Sequence, residues 1–155
     1  MLDDITFHAE VLDVATDTDS RRRAVESALA LVYRVQDALH KRLKNVYWDA
    51  VDGTPDGQLT GALNLVRNVN THSLVVVESA FGELSPSDHL HPRPAVVTGA
   101  MMRWSDFGDV EEELEAPRKN QTDRRPYYRA HLSQAAVVPT LRTVVGFYEG
   151  LTEDD

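Results

Sequence analysis

Arg67, Asn68, Asn70 and His72 stand inside an otherwise apolar stretch that runs from Leu59 to Phe81. A histidine titrates near neutral pH and can exchange a proton, whereas an arginine stays charged and binds a phosphate with two parallel hydrogen bonds. Polar residues in the middle of an apolar stretch are costly unless they find partners across a cleft or a subunit interface. This segment is therefore the first place to look for a functional site.

The same stretch has the pattern of a helix. Its apolar residues recur at helical spacing and it contains no proline, which predicts one central helix of about six turns from Leu59 to Phe81. On such a helix Arg67 and His72 lie about 140° apart and about 7.5 Å along the axis, while Asn68 and His72 share a face. One copy makes a poor site, but a two-fold dimer that packs this helix against its copy brings two arginines and two histidines together.

The segment Arg67-Asn68-Val69-Asn70-Thr71-His72 resembles the signature of the HEPN-domain family, in which a histidine follows an arginine at a short interval and a polar residue often follows the arginine. The resemblance implies a helical bundle dominated by a long antiparallel helix pair, with Arg67 and His72 as catalytic residues and Asn68 in a supporting role. It also implies RNA cleavage of toxin or defence type by a homodimer that needs no metal or other cofactor. An antitoxin or a nucleotidyltransferase-like protein is then an expected partner.

The spacing of arginine and histidine alone is weakly specific, because three other pairs match it: Arg34 with His40, and both Arg124 and Arg125 with His131. Only the Arg67 pair has the adjacent asparagine and lies between two apolar runs. Two other interpretations stay open. The polar residues can hydrogen-bond within the bundle and tie its helices together, or the chain can be a non-catalytic nucleotide-binding or interaction protein.

The clearest predicted element is the helix that precedes this segment. After an N-cap at Asp19 or Ser20, apolar residues keep a helical period to about Tyr47. The run from Asp52 to Gly57 is rich in turn formers. The long helix is therefore predicted to reverse there into the central one, as an antiparallel hairpin.

Composition and period give the predictions for the rest of the chain. Residues 3–15 form a short helix, residues 85–94 a loop, and residues 96–104 a short helix or an extended segment. Residues 106–120 form a surface connection, and a last helix starts near Pro126, with Pro139 kinking or splitting it. The predicted fold class is all-α, an up-down bundle of four to five helices in a single domain, residues 1–155.

Acidic residues exceed basic ones, with a net charge of −9, but the charges are segregated. From Ser20 to Trp48 seven basic residues stand against two acidic ones, and from Arg118 to His131 five basic residues stand against Asp123. A local basic surface for RNA is compatible with this pattern, although such runs are more often solvated helix faces.

Composition also bounds the compartment and the metal chemistry. The chain has no cysteine, which removes disulfides and cysteine-ligated zinc. No apolar run reaches membrane-spanning length and residues 1–10 lack a signal-peptide pattern, so we expect a cytoplasmic protein without membrane contact. His89 and His91 are two potential metal ligands, but no third ligand recurs nearby, so we expect no metal site.

Overall fold

Helices dominate the described part of this computed structural model, which covers residues 1–15, 17–77, 102–114, 116 and 121–153. The prediction of an all-α bundle is confirmed. Two three-residue strands and two short turns of other helix types join the α-helices. The elements are α1 Leu2–Val14, α2 Thr18–Leu43, α3 Asn45–Gly53, α4 Pro55–Leu65, a 3-10 turn Val66–Asn68, α5 Thr71–Leu74, β1 Val75–Val77, β2 Met102–Trp104, α6 Phe107–Val110, α7 Arg125–Tyr127, a π-helical turn Tyr128–Leu132 and α8 Val137–Glu153.

The long helix α2 forms where its apolar period predicts it. The predicted stripe from Val25 to Leu39 is buried against α1, which buries Ile5, Ala9 and Leu12 in return. The N-cap is Asp17, whose side chain accepts a hydrogen bond from the Ser20 N–H at 2.8 Å, rather than Asp19 or Ser20. The C-terminal end also comes earlier than predicted. Lys44 adopts a positive φ of 53°, which ends α2 and starts α3 in a new direction.

The predicted turn after Asp52 joins α3 to α4. The hydroxyl of Thr54 accepts a hydrogen bond from the Gly57 N–H at 3.0 Å, and Pro55 occupies the first turn, where a missing N–H costs little. A Cβ on Gly57 would lie 2.4 Å from the Ala50 carbonyl oxygen. The tight pairing of α3 with α4 therefore depends on this glycine. This turn joins the short helices α3 and α4. The prediction that it joins the long helix directly to a six-turn central helix is therefore wrong.

The predicted central helix from Leu59 to Phe81 is broken. Helix α4 ends at Leu65, and the chain becomes extended at Val69, with φ −79° and ψ 136°. After the single turn of α5 it enters strand β1, while residues 78–81 lie outside the described residues. Three consecutive β-branched residues, Val75–Val77, disfavour helix and fit a strand. They pair antiparallel with Met102–Trp104. Of the two alternatives predicted for residues 96–104, a short helix or an extended segment, residues 102–104 are therefore extended, and residues 96–101 lie outside the described residues.

The C-terminal half completes the core. Trp104, Tyr128 and Tyr148 are fully buried. Residues 106–114 are more than the predicted surface connection, because Phe107, Val110 and Leu114 are buried. The predicted last helix is interrupted before Pro139 rather than at it. Pro139 lies in the first turn of α8, where proline is tolerated.

Candidate functional site

Arg67 projects from the 3-10 turn that follows α4, at the protein surface. Its two terminal nitrogens, Nη1 and Nη2, each lie 3.4 Å from a different carboxylate oxygen of Asp37 on α2. The side chains are 48% and 50% exposed, so water screens this ion pair. The guanidinium is thus held in the two-pronged arrangement that arginine uses for carboxylates and phosphates, at a place that solvent reaches.

Tyr33 forms the inner wall of this cluster. The Arg67 guanidinium carbon lies 5.2 Å from the centre of the Tyr33 ring, within cation–π range. The Tyr33 hydroxyl donates at 3.3 Å to the Leu63 carbonyl in the last turn of α4, and the same carbonyl also accepts the Val66 N–H. Burial raises the pKa of Tyr33 well above its ordinary value, although the nearby Arg67 charge lowers it. Tyr33 therefore stays a neutral donor and fixes the end of α4 against α2.

Asn68 and His72 are placed by their backbone alone, because their side chains lie outside the described part of the chain. Asn68 ends the 3-10 turn, and His72 is the second residue of α5. The angle and axial distance predicted for Arg67 and His72 required one continuous helix, and the extended residue Val69 between them makes that prediction wrong. The two residues belong to separate elements.

Helix α5 is anchored by β2 and the residue that follows it. The Ser105 N–H donates to the Leu74 carbonyl at 2.8 Å, and the Ser105 hydroxyl donates to the Ser73 carbonyl. Helix α6, which starts at Phe107, packs against α5. Helix α2 also contacts α5, so the backbone at His72 is held both by α2 and by residues more than 30 positions later in the chain.

The other matches to the arginine–histidine spacing make structural contacts instead. The Arg124 Nη2 atom donates to both carboxylate oxygens of Asp52, at 3.2 and 3.3 Å. The His131 Nε2 atom lies 3.0 Å from the side-chain oxygen of Gln58. The centre of the His40 ring lies 5.2 Å from that of the Trp48 ring, with the two ring planes tilted by 60°, while Arg34 is exposed on α2. The Arg124 and His131 contacts are structural, whereas Arg34 is distinguished from Arg67 only by lacking a carboxylate or aromatic partner among the described residues.

Sequence reasoning missed the polar cluster centred on Asp52. The Asp52 carboxylate also accepts hydrogen bonds from the Thr122 and Tyr127 hydroxyls, each at 3.3 Å. The Arg124 guanidinium lies over the Trp48 ring at 4.3 Å. This cluster binds the segment before α7 to α3. The one sequence signal for this cluster is the four-residue spacing of Trp48 and Asp52, which places them on the same face of a helix. Their partner Arg124 lies 72 residues after Asp52, so no local pattern could indicate it.

A small surface pocket lies beside α6 and α7. Its volume is about 230 Å³, and it is lined by Phe107, Glu111, Asp123, Arg125, Pro126 and Arg129. Arg125 donates to Asp123 at 2.7 Å, which holds the pKa of that carboxyl below its ordinary value of 3.8. The Arg129 guanidinium covers the Phe107 ring at 4.3 Å. Two arginines and two carboxylates leave the pocket without a net charge.

The described residues contain no group of three or more histidine, aspartate or glutamate side chains arranged to hold a metal ion, and His89 and His91 lie outside them. Within the same residues, no helix combines the length and the apolar character needed to cross a bilayer.

Comparison of the chain with family models, with curated proteins and with solved structures returned no match.

Proposed function

We propose that this chain is a metal-independent endoribonuclease of toxin or defence type, and that it acts in the cytoplasm as a homodimer. The observation that carries the proposal is the half-exposed Arg67 guanidinium, which meets a carboxylate with both terminal nitrogens. A phosphate offers the same pair of oxygens, so it can replace Asp37 at little cost in free energy. The resemblance of Arg67-Asn68-x3-His72 to the HEPN signature supplies the reaction class.

In the proposed reaction, the ribose 2′-oxygen attacks the adjacent phosphorus and the 5′-oxygen of the next nucleotide leaves. One histidine, His72, takes the 2′-hydroxyl proton, and a second histidine returns a proton to the leaving oxygen. Arg67 binds the phosphate and offsets the charge that develops on it. The products are a 2′,3′-cyclic phosphate and a 5′-hydroxyl. A two-fold dimer supplies the second histidine, because its interface repeats the same residues.

The test is cleavage of single-stranded RNA by the purified protein in EDTA. RNA should be cut and DNA of the same sequence should survive, because DNA lacks the 2′-hydroxyl. Arg67→Ala and His72→Ala should each abolish cutting, whereas Arg34→Ala, which removes an exposed arginine from α2, should retain most of it. Cutting that survives both motif substitutions would place the activity elsewhere. No cutting of any RNA would reject the proposal.

A specific observation favours a second function, that of a non-catalytic interaction protein. Phe7 and Val14 are 59% and 75% exposed. They are seven residues apart on α1, so they lie on the same outer face of this helix and form an exposed apolar pair. Such a face suits contact with a second copy, with an antitoxin or with a nucleotidyltransferase-like partner. Light scattering of Phe7→Ser against the wild type separates the two functions, since loss of assembly without any RNA cleavage in either protein supports the interaction role.

A further inference from the structure

Three consecutive arginines, Arg21, Arg22 and Arg23, lie in the first turns of α2. A helix carries partial positive charge at its N-terminus, so basic residues there are unfavourable and anions are stabilised. Asp17 at the N-cap and Asp19 in the first turn supply two carboxylates there, so the three arginines exceed the local acidic charges by one.

Arg21 is the unusual member of this group. It is only 5% exposed, yet among the described residues it has no hydrogen-bond or ion-pair partner, and its Nε atom is fully enclosed without a partner. The Nε atom of Arg22 is also enclosed and unpaired. Of the three guanidinium nitrogens of Arg21, only Nε is enclosed without a partner, so the two terminal nitrogens keep contact with solvent. Arginine keeps its charge when it is nearly buried, and an anion at the terminal nitrogens would compensate that charge.

The surroundings fit an oxyanion better than a carboxylate of this chain. Side chains on a helix lean toward its N-terminus, so the Arg21 side chain leans toward the first turn of α2. There the N–H groups of Thr18 and Asp19 have no helical acceptors. The carboxylate of the N-cap residue Asp17 accepts the Ser20 N–H, and this hydrogen bond lowers its pKa.

We infer that the N-terminus of α2 is a phosphate-binding site in which Arg21 is the principal ligand. The site goes beyond the proposed catalytic role of Arg67. Arg21 precedes Asp37, the partner of Arg67, by 16 residues on one helix, which is about 24 Å along its axis. The phosphate can belong to an RNA backbone or be a free phosphate, and both share the chemistry that Arg21 recognises.

The experiment measures thermal unfolding of the full chain in rising inorganic phosphate, against sodium chloride of equal ionic strength. Phosphate at twenty times its Kd should raise the Tm by on the order of 5 °C for a chain of this size. Arg21→Met should remove this rise and leave the Tm in chloride equal or higher, because the substitution removes an unpaired buried charge. Arg23→Met is the matched control. It removes an exposed arginine from the same turn and should keep the rise.

Each other result has a defined meaning. No phosphate-specific rise in the wild type, or equal losses in Arg21→Met and Arg23→Met, overturns the site. If Arg21→Met fails to fold, Arg21→Lys keeps the charge without the two-pronged geometry and should retain a reduced rise in Tm. An undiminished rise in Arg21→Lys overturns the role of Arg21.

Binding of a 2′-O-methyl RNA shows whether the bound phosphate belongs to RNA or is free phosphate. At least tenfold weaker binding by Arg21→Met than by Arg23→Met indicates RNA backbone, and unchanged RNA binding indicates free phosphate. His72→Ala should show the full phosphate response, so failure of the ribonuclease proposal is recognised separately.

Discussion

The pairing of Arg67 with Asp37 predicts the effect of Asp37→Asn. The substitution keeps the shape of the side chain and removes the charge that a phosphate must displace. Both partners are about half exposed, and exposed ion pairs contribute about 0.2–1 kcal/mol. We therefore expect the free energy of unfolding to fall by less than about 1 kcal/mol. The same energy, released to the ligand, corresponds to RNA binding that is up to about fivefold tighter.

The assay is fluorescence anisotropy with a 2′-O-methyl RNA that cannot be cut, together with urea unfolding of the same samples. A general gain of one positive charge also strengthens RNA binding, so a control with the same charge change is needed. Asp13→Asn provides it. Asp13 pairs with Arg142 at 3.1 Å, and its side chain is similarly exposed. We expect Asp37→Asn to strengthen binding clearly more than Asp13→Asn, and more at low salt than at high salt.

Two outcomes would refute this reasoning. Equal gains for Asp37→Asn and Asp13→Asn would mean that total charge, rather than release of Arg67, governs binding. Weaker binding or lost cleavage in Asp37→Asn would mean that Arg67 needs Asp37 to keep its position, which is the behaviour of a structural ion pair.

Two further predictions concern stability. Gly57→Ala should lower the free energy of unfolding in urea by about 1–3 kcal/mol, because its Cβ would lie 2.4 Å from a carbonyl oxygen. Gly53→Ala is the control, because a Cβ there meets open space, and it should change the free energy of unfolding by less than about 0.5 kcal/mol. Equal effects of the two substitutions would contradict the packing argument. Burial raises the pKa of Tyr47 from 10.0 to about 12 in the folded protein, so its contribution to stability is complete below pH 10 and is lost as the pH rises from 10 through 12. Absorbance at about 295 nm and circular dichroism should therefore show that Tyr47, with Tyr128 and Tyr148, ionises only as the helices unfold. Full tyrosine ionisation near pH 10 with intact helices would count against this burial.

The sequence predicts α2 well because one periodic signal decides it. Its apolar stripe repeats over many turns, and the six stripe residues from Val25 to Leu39 are all buried, namely Val25, Ala28, Leu29, Val32, Val35 and Leu39. The break in the predicted central helix has the opposite cause. Val75–Val77 can satisfy a helical period over a short run, and the strand that recruits them, Met102–Trp104, is more than 20 residues later. A local pattern cannot reveal a partner at that distance, so tertiary pairing overrides it.

The partners of the candidate site were hidden for the same reason. Arg67 was recognisable as a polar residue in an apolar stretch, but nothing in its neighbourhood indicated Asp37, which precedes it by 30 residues. The burial of Arg21 was also hidden, because three consecutive arginines are ordinarily a solvated face. Arg21 takes a core-facing position on α2, one turn before Val25. The predicted apolar stripe started at Val25, so the sequence analysis did not include Arg21 in it, although the helical period extended back by one turn reaches this position.

The break between Arg67 and His72 changes where a composite site should be sought. With one continuous helix, the spacing of the two residues would follow from the helical repeat, and packing of the helix against its copy would suffice to align them. In the observed fold, Arg67 is fixed by Tyr33 and Asp37 of α2, while the backbone at His72 is fixed through Ser105. Helix α5 also contacts α2, the helix that carries Tyr33 and Asp37, so the relative position of the two residues depends on how α5 docks against both α2 and Ser105. A dimer that assembles the proposed site therefore has to bring together the surface where the turn after α4 meets α5, rather than one face of a continuous helix.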